Sequence, residues 1–207
     1  ILKGMGVNGI RTSHNPPAPE LLDLCDKMGF IVMDEAFDMW KKAKTKYDYS
    51  LDWDQWHVRD LQDQILRDRN HPSIFMWSIG NEIPEQWDES GVKIATELAA
   101  ITRQYDKTRP LTAAMNPPVN MNIDEVTLQF EKNNVSINPL AASGVLDLIG
   151  YNYAHQTYEH HQKNFPNTPF IATETTSGLQ TRGYYDSNSE IIKKWPVRWD
   201  LKFTDGN

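Results

Sequence analysis

Residues 74–82, Ile74-Phe75-Met76-Trp77-Ser78-Ile79-Gly80-Asn81-Glu82, decide the fold. The first part, Ile74 to Ile79, is an apolar run without strict alternation, which is what a strand buried on both faces of a parallel sheet needs. A glycine, an amide and a carboxylic acid follow the strand. Working outward, five more runs of this kind are found. Val7 to Thr12 and Phe30 to Asp34 precede it, and Leu111 to Met115, Leu146 to Tyr151 and Phe170 to Thr173 follow. Segments of helical spacing lie between them. Leu21, Leu22, Cys25 and Met28 form a stripe after Pro19, with Gly29 as its stop; Val58, Leu61, Ile65 and Leu66 form another, ending before Asn70-His71-Pro72; Ala95, Leu98, Thr102 and Tyr105 form a third.

Buried strands alternating with amphipathic helices predict an α/β fold around a parallel sheet. A doubly wound nucleotide-binding sheet would favour a Gly-rich phosphate loop after an early strand, and no GxGxxG or P-loop occurs. The expected architecture is therefore a (β/α)8 TIM barrel. With 207 residues against the roughly 250 of a complete barrel, the chain is expected to be an incomplete one. Asn116 to Asn138 is expected to be a long connection with a weak helical pattern over Glu125 to Lys132. Ser177 to Asn207 reads as a long loop with a helix near Ile191.

A net charge of −7, with both signs mixed along the chain, argues against a nucleic-acid surface, which would need a clustered basic face. No run approaches the roughly 18 consecutive apolar residues of a membrane helix, so no membrane partner is expected. The single Cys25 excludes an internal disulfide and a cysteine metal cluster. Glu159, His160 and His161 are adjacent, not spaced i, i+4, and so do not face one point as metal ligands would. The seven Trp and eight Tyr offer rings that can fill a core or pack on a sugar face.

In a TIM barrel the active site lies at the carboxyl ends of the strands, and the polar residues here gather at such ends. They are Thr12-Ser13-His14-Asn15, Asp34-Glu35, Gly80-Asn81-Glu82, Asn116, Asn152-Tyr153 and Glu174. Glycoside hydrolysis needs two carboxyl groups flanking the scissile bond. Glu82 and Glu174, each directly after an apolar strand, are the candidates.

Arg11-Thr12-Ser13-His14-Asn15-Pro16, Met33-Asp34-Glu35-Ala36, Arg69-Asn70-His71-Pro72-Ser73 and Trp77-Ser78-Ile79-Gly80-Asn81-Glu82 together resemble the barrel of glycoside hydrolase family 2. That family contains β-galactosidases, β-glucuronidases and β-mannosidases. The resemblance implies a chain that begins just before barrel strand 2 and ends after strand 7, without strands 1 and 8 or the β-sandwich domains that precede the barrel in the family. It implies Glu82 as acid/base and Glu174 as nucleophile of a retaining β-glycosidase, with the two carboxyl groups about 5–5.5 Å apart. Arg11, His14, Asn81 and Tyr153 are implied as substrate-binding or nucleophile-supporting residues. Asn81 would meet the sugar's 2-hydroxyl, Arg11 would keep Glu174 ionised, and Tyr153 is favoured over Tyr151 as the tyrosine bonded to it.

β-Galactosidase is the first expectation, β-glucuronidase the second and β-mannosidase the third. Some relatives hold magnesium through a Glu-x-His segment after strand 3; Glu35-Ala36-Phe37-Asp38-Met39-Trp40 lacks it, so no metal or other cofactor is expected. The implied partner is a carbohydrate substrate. A homo-oligomer of the full-length protein stays open, and a bacterial parent is expected to be periplasmic or secreted. The rival reading from another class is a noncatalytic carbohydrate-binding barrel or an inactive fragment. Trp40 and Trp87 are placed either on the sugar or under a loop.

Overall fold

The computed structural model describes residues 1–123 and 130–175. The expected loop from Ser177 and the helix near Ile191 lie outside the described residues. Six strands form one parallel sheet: β1 (Gly9–Arg11), β2 (Ile31–Glu35), β3 (Ile74–Asn81), β4 (Leu111–Met115), β7 (Ile149–Asn152) and β8 (Phe170–Glu174), in that spatial order. Each neighbouring pair is parallel. Sequential order and spatial order coincide, which is how a barrel winds.

The crossovers are α1 (Pro19–Met28), α2 (Trp53–Asp68) and α3 (Glu89–Tyr105). α1 opens on a proline whose missing N–H is no loss there, and Gly29 closes it at φ 70° with its N–H bonded to the Cys25 carbonyl, a left-handed position that glycine adopts freely. Asp88 caps α3 by accepting from the Ser90 N–H.

The connection between β4 and β7 differs from expectation. It contains an antiparallel pair, β5 (Val119–Ile123) and β6 (Phe130–Ile137), followed by the short α4 (Pro139–Ala142); of the weak helical pattern expected over Glu125 to Lys132, Phe130 to Lys132 are strand and the rest lies outside the described residues. The alternation Val119-Asn120-Met121-Asn122-Ile123 is the period-two signal of a strand. A 3₁₀ segment, His155–His160, and α5 (His161–Asn164) join β7 to β8.

Strand alternation divides the core into two layers. Inside the curl of the sheet sit Met33, Met76 and Leu148, with Phe75 and Ile171 against them. Outside, Val32, Trp77, Ile79, Leu111, Ala113 and Met115 meet Leu22, Cys25, Leu61, Ile65, Ala95 and Leu98 of the helices. Ile65 and Leu98 are fully buried, and truncating such a side chain to alanine costs about 2–5 kcal/mol. The buried face of α2 is not the expected stripe. Val58 and Leu66 are exposed, while Trp53, His57, Leu61, Gln64, Ile65 and Asp68 face inward. The cause is β2: Asp34 points at α2 and recruits Gln64 as donor, which rotates polar positions into the interface.

Candidate active site

At the carboxyl end of the sheet one guanidinium organises the polar residues. Arg11 ends β1; its Nε and Nη2 donate to the two Glu35 oxygens at 2.9 and 2.8 Å. Nη1 donates to Glu174 Oε1 at 2.6 Å and to the Thr173 carbonyl at 3.4 Å. Nη2 also reaches Asn81 Oδ1 at 2.8 Å. With five N–H groups, Arg11 has an acceptor for each. It was expected among residues that touch substrate or support the nucleophile, and its donors are committed to the protein, Glu174 included.

Glu35 is the hub that sequence reasoning missed. It is fully buried and also receives Ser78 Oγ at 2.7 Å and the His14 ring at 2.8 Å. A buried carboxylate needs a cation and filled lone pairs, and these supply both. The signal was its place at a strand end beside Asp34. His14 sits after the cis Ser13–His14 peptide, its Nε2 3.6 Å from Glu174 Oε1. The hydrogen bond to Glu35 raises the His14 pKa above 6.5 against the opposing effect of burial.

Glu82 and Tyr153 share a backbone device. In strict alternation each would turn away from the site, because Asn81 and Asn152 before them face it. Both adopt left-handed φ, 44° and 51°, which costs a non-glycine residue about 1–3 kcal/mol. The parallel ladder nevertheless continues, since Glu82 N–H donates to the Ala114 carbonyl at 2.7 Å and Tyr153 N–H to the Glu174 carbonyl at 2.9 Å. Tyr151 and Tyr153 therefore do not point the same way, although residues two apart on a strand ordinarily share a side. Tyr151 is buried, its hydroxyl 2.8 Å from His161 Nδ1, whereas the Tyr153 hydroxyl donates to Glu174.

Burial raises the Glu174 pKa, but hydrogen bonds from Tyr153 and Arg11 and the Arg11 charge outweigh it and hold the carboxyl below 4.5. That is the state a carboxylate nucleophile requires. Glu82 receives Asn152 Nδ2 at 3.0 Å, and the same amide nitrogen donates to Asn81 Oδ1 at 3.0 Å. Thr173 in turn donates to Asn152 Oδ1. Glu82, Asn152, Asn81, Arg11 and Glu174 thus form one continuous web across β1, β3, β7 and β8. Asn152 was noted in sequence only as part of a strand end.

Under the site, Gly80 leaves room for Ile83 and Trp40, since an added Cβ would come within 2.7 Å of Ile83 and 3.0 Å of the Trp40 ring nitrogen. Trp40 is fully buried and donates to the Ile79 carbonyl at 2.8 Å, so it packs under the site. Trp87 is partly exposed. A cavity of about 540 Å³ adjoins the site at His14 and Asp38 and runs past Phe37, Met39 and Tyr49 towards α2.

Glu35 and Asp38, the carboxylates nearest the web, do not fit a divalent cation, because Arg11 holds the first and Lys44 the second at 2.7 Å. His161 has both ring nitrogens engaged, by Tyr151 and by the Thr168 carbonyl. Asp23, Asp26 and His71 lie close enough to share an ion, but they precede β3, at the opposite end of the strands from Glu82. Among the described residues no helix is long and apolar enough to cross a membrane.

A curled parallel sheet with two acids at its carboxyl ends, linked through an arginine and two amides, defines a barrel of the glycosidase type. The profile described as "Glycosyl hydrolases family 2, TIM barrel domain" matches residues 1–198, and the chain belongs to that family. The β-galactosidase BoGH2A of Bacteroides ovatus is 49% identical, the match covering 99% of this chain and 26% of that protein. A putative β-glucuronidase of Formosa agariphila is 37% identical over 89% of this chain and 15% of its own length. Among solved structures, a glycosyl hydrolase family 2 member from Bacteroides cellulosilyticus superposes with a TM-score of 0.71 at 40% identity, over 84% of this chain and 20% of that one. The chain spans about a quarter of the length of the B. ovatus relative.

Proposed function

We propose that the whole protein to which this barrel belongs is a retaining β-glycosidase of β-galactosidase type. The observation that carries the reading is the web joining Glu174, through Arg11, Asn81 and Asn152, to Glu82. It sets one carboxylate that is held ionised opposite a second carboxyl group at the mouth of the same sheet. The 49% identity to the B. ovatus β-galactosidase supports the choice of sugar.

In the first half-reaction Glu174 attacks the anomeric carbon while Glu82 donates its proton to the glycosidic oxygen, and the aglycone leaves as the alcohol. In the second, Glu82 takes a proton from water, whose oxygen displaces Glu174 and releases the sugar with its configuration retained. Arg11 and Tyr153 serve Glu174 as electrostatic partners. Asn81 offers its remaining amide hydrogen to the hydroxyl beside the reacting carbon, and His14 stands at the sugar's edge. Binding without chemistry, the other class considered, gives no reason for Glu174 to be held ionised by two donors.

The test is a panel of nitrophenyl glycosides with the whole protein and its Glu174→Gln variant. Hydrolysis of the β-galactoside, falling at least ~10⁴-fold in the variant, is expected, with the β-anomer appearing first by NMR. A variant as active as the parent, or the α-anomer first, would overturn the reading. β-Glucuronidase is the second reading, favoured by the F. agariphila relative; turnover of the glucuronide alone selects it.

A further inference from the structure

We propose that Asp38 is a specificity-determining residue, a charged acceptor for the hydrogen of the 2-hydroxyl on the sugar undergoing cleavage. The inference rests on the glycosidase reading and deepens it.

The amide of Asn81 has a fixed orientation. Its Oδ1 accepts from Arg11 Nη2 at 2.8 Å and Asn152 Nδ2 at 3.0 Å, so Nδ2 is the donating side. One Nδ2 hydrogen goes to Asp38 Oδ1 at 3.0 Å; the other has no acceptor among the described residues and is left for a ligand. Asp38 is gripped from behind as well. Lys44 Nζ donates to the same Oδ1 at 2.7 Å and to the Asn81 carbonyl at 2.7 Å, which ties the loop after β2 to the end of β3. Both bonds converge on Oδ1, and the side chain keeps 37% of its surface exposed, on the wall of the cavity it shares with His14. Oδ2 is thus the oxygen offered to a ligand. Burial opposes ionisation, but the bonds from Lys44 and Asn81 hold the carboxyl below its ordinary value.

The reacting carbon must lie between Glu174 and Glu82, and Asn81 is hydrogen-bonded into the chain that links them. A hydroxyl on the adjacent carbon therefore meets the free Asn81 N–H as an acceptor. Its own hydrogen is then directed at the neighbouring Asp38 oxygen. As positive charge develops on the anomeric carbon, the adjacent hydroxyl becomes a stronger donor. A bond to a carboxylate gains more from this than a bond to a neutral group, so the contact acts mainly in the transition state. No proton is transferred. The consequence is selection for glycosides with a free equatorial 2-hydroxyl, and against 2-deoxy sugars and axial epimers.

The experiment is a two-by-two comparison of kcat/KM in the whole protein: parent and Asp38→Asn, each on the nitrophenyl glycoside the parent prefers and on its 2-deoxy analogue. Asp38→Asn is expected to lose about 10- to 100-fold on the hydroxylated substrate and less than about 3-fold on the analogue, so that discrimination collapses. Turnover of the analogue doubles as the check on folding. Equal losses on both substrates would show that Asp38 only holds Lys44 and its loop, and would overturn the proposal; if Asp38→Asn does not yield folded protein, Asp38→Ser is read by the same criterion. Failure of the glycosidase reading is distinguishable, since the parent would then turn over neither substrate.

Discussion

Asp34 and Glu35 are neighbours on β2, both fully buried, and they face opposite layers. Glu35 looks into the curl, where Arg11, Ser78 and His14 surround it. Asp34 looks out at α2, where Gln64 Nε2 donates to Oδ1 at 2.7 Å and the Asp68 carboxyl group lies within hydrogen-bonding reach. Two carboxylates cannot hydrogen-bond without a proton between them. Burial, followed by the Asp68 charge, pushes Asp34 up to about 8, so it supplies that proton at neutral pH. Asp68 itself takes two bonds from Arg67. The same strand and the same burial therefore give two different groups, and what differs is the supply of cations and donors.

The contrast is broken most directly at Glu35. Glu35→Leu leaves Arg11 without its bidentate partner and is expected to destabilise the barrel by about 3–5 kcal/mol in denaturant titrations of the whole protein; a loss below ~1 kcal/mol would show that the hub is dispensable. Next comes Arg11→Lys, which keeps the charge but not the fork that joins Glu35, Glu174 and Asn81. We expect kcat/KM to fall about 100-fold with folding retained, and unchanged kinetics would mean that a point charge beside Glu174 suffices.

The smallest effect is sought at Asp34. Because its folded pKa lies above the ordinary 3.8, the folded state holds a proton that the unfolded chain releases. Its contribution is complete below pH 3.8 and is lost as pH rises towards about 8. Asp34→Asn, which can still donate to Asp68, should flatten that part of the stability profile, and melting curves at pH 5 and pH 8 of parent and variant compare the slopes. An identical slope in both would place the titrating group elsewhere.

Much of the fold was legible because buried parallel strands announce themselves as apolar runs. Leu111–Met115 matched to the residue, and β3 ran on through Asn81, since its polar end is still paired to β4. The β5–β6 pair escaped because polar residues interrupt its apolar ones and its alternation is short. That Glu82, Glu174 and Asn81 lie at the carboxyl ends of strands was legible from the apolar runs before them. Glu35 and Asn152 were not assigned roles, because their importance comes from donors far away in sequence, such as Arg11 and Ser78 around Glu35. Nor could alternation foresee Tyr153: a left-handed residue at the strand end reverses the side chain's direction, and nothing in a tyrosine's identity marks it.

The bond from Arg11 to Glu174 joins residues 163 apart in sequence, between the first and last strands of the sheet. Neighbouring strands can pair through loops that close over a few dozen residues, whereas this contact must wait for the largest closure entropy in the described chain. Helical layers and central strands can therefore assemble before Glu174 meets its cation. The ionised state of Glu174 thus depends on the two ends of the sheet having come together.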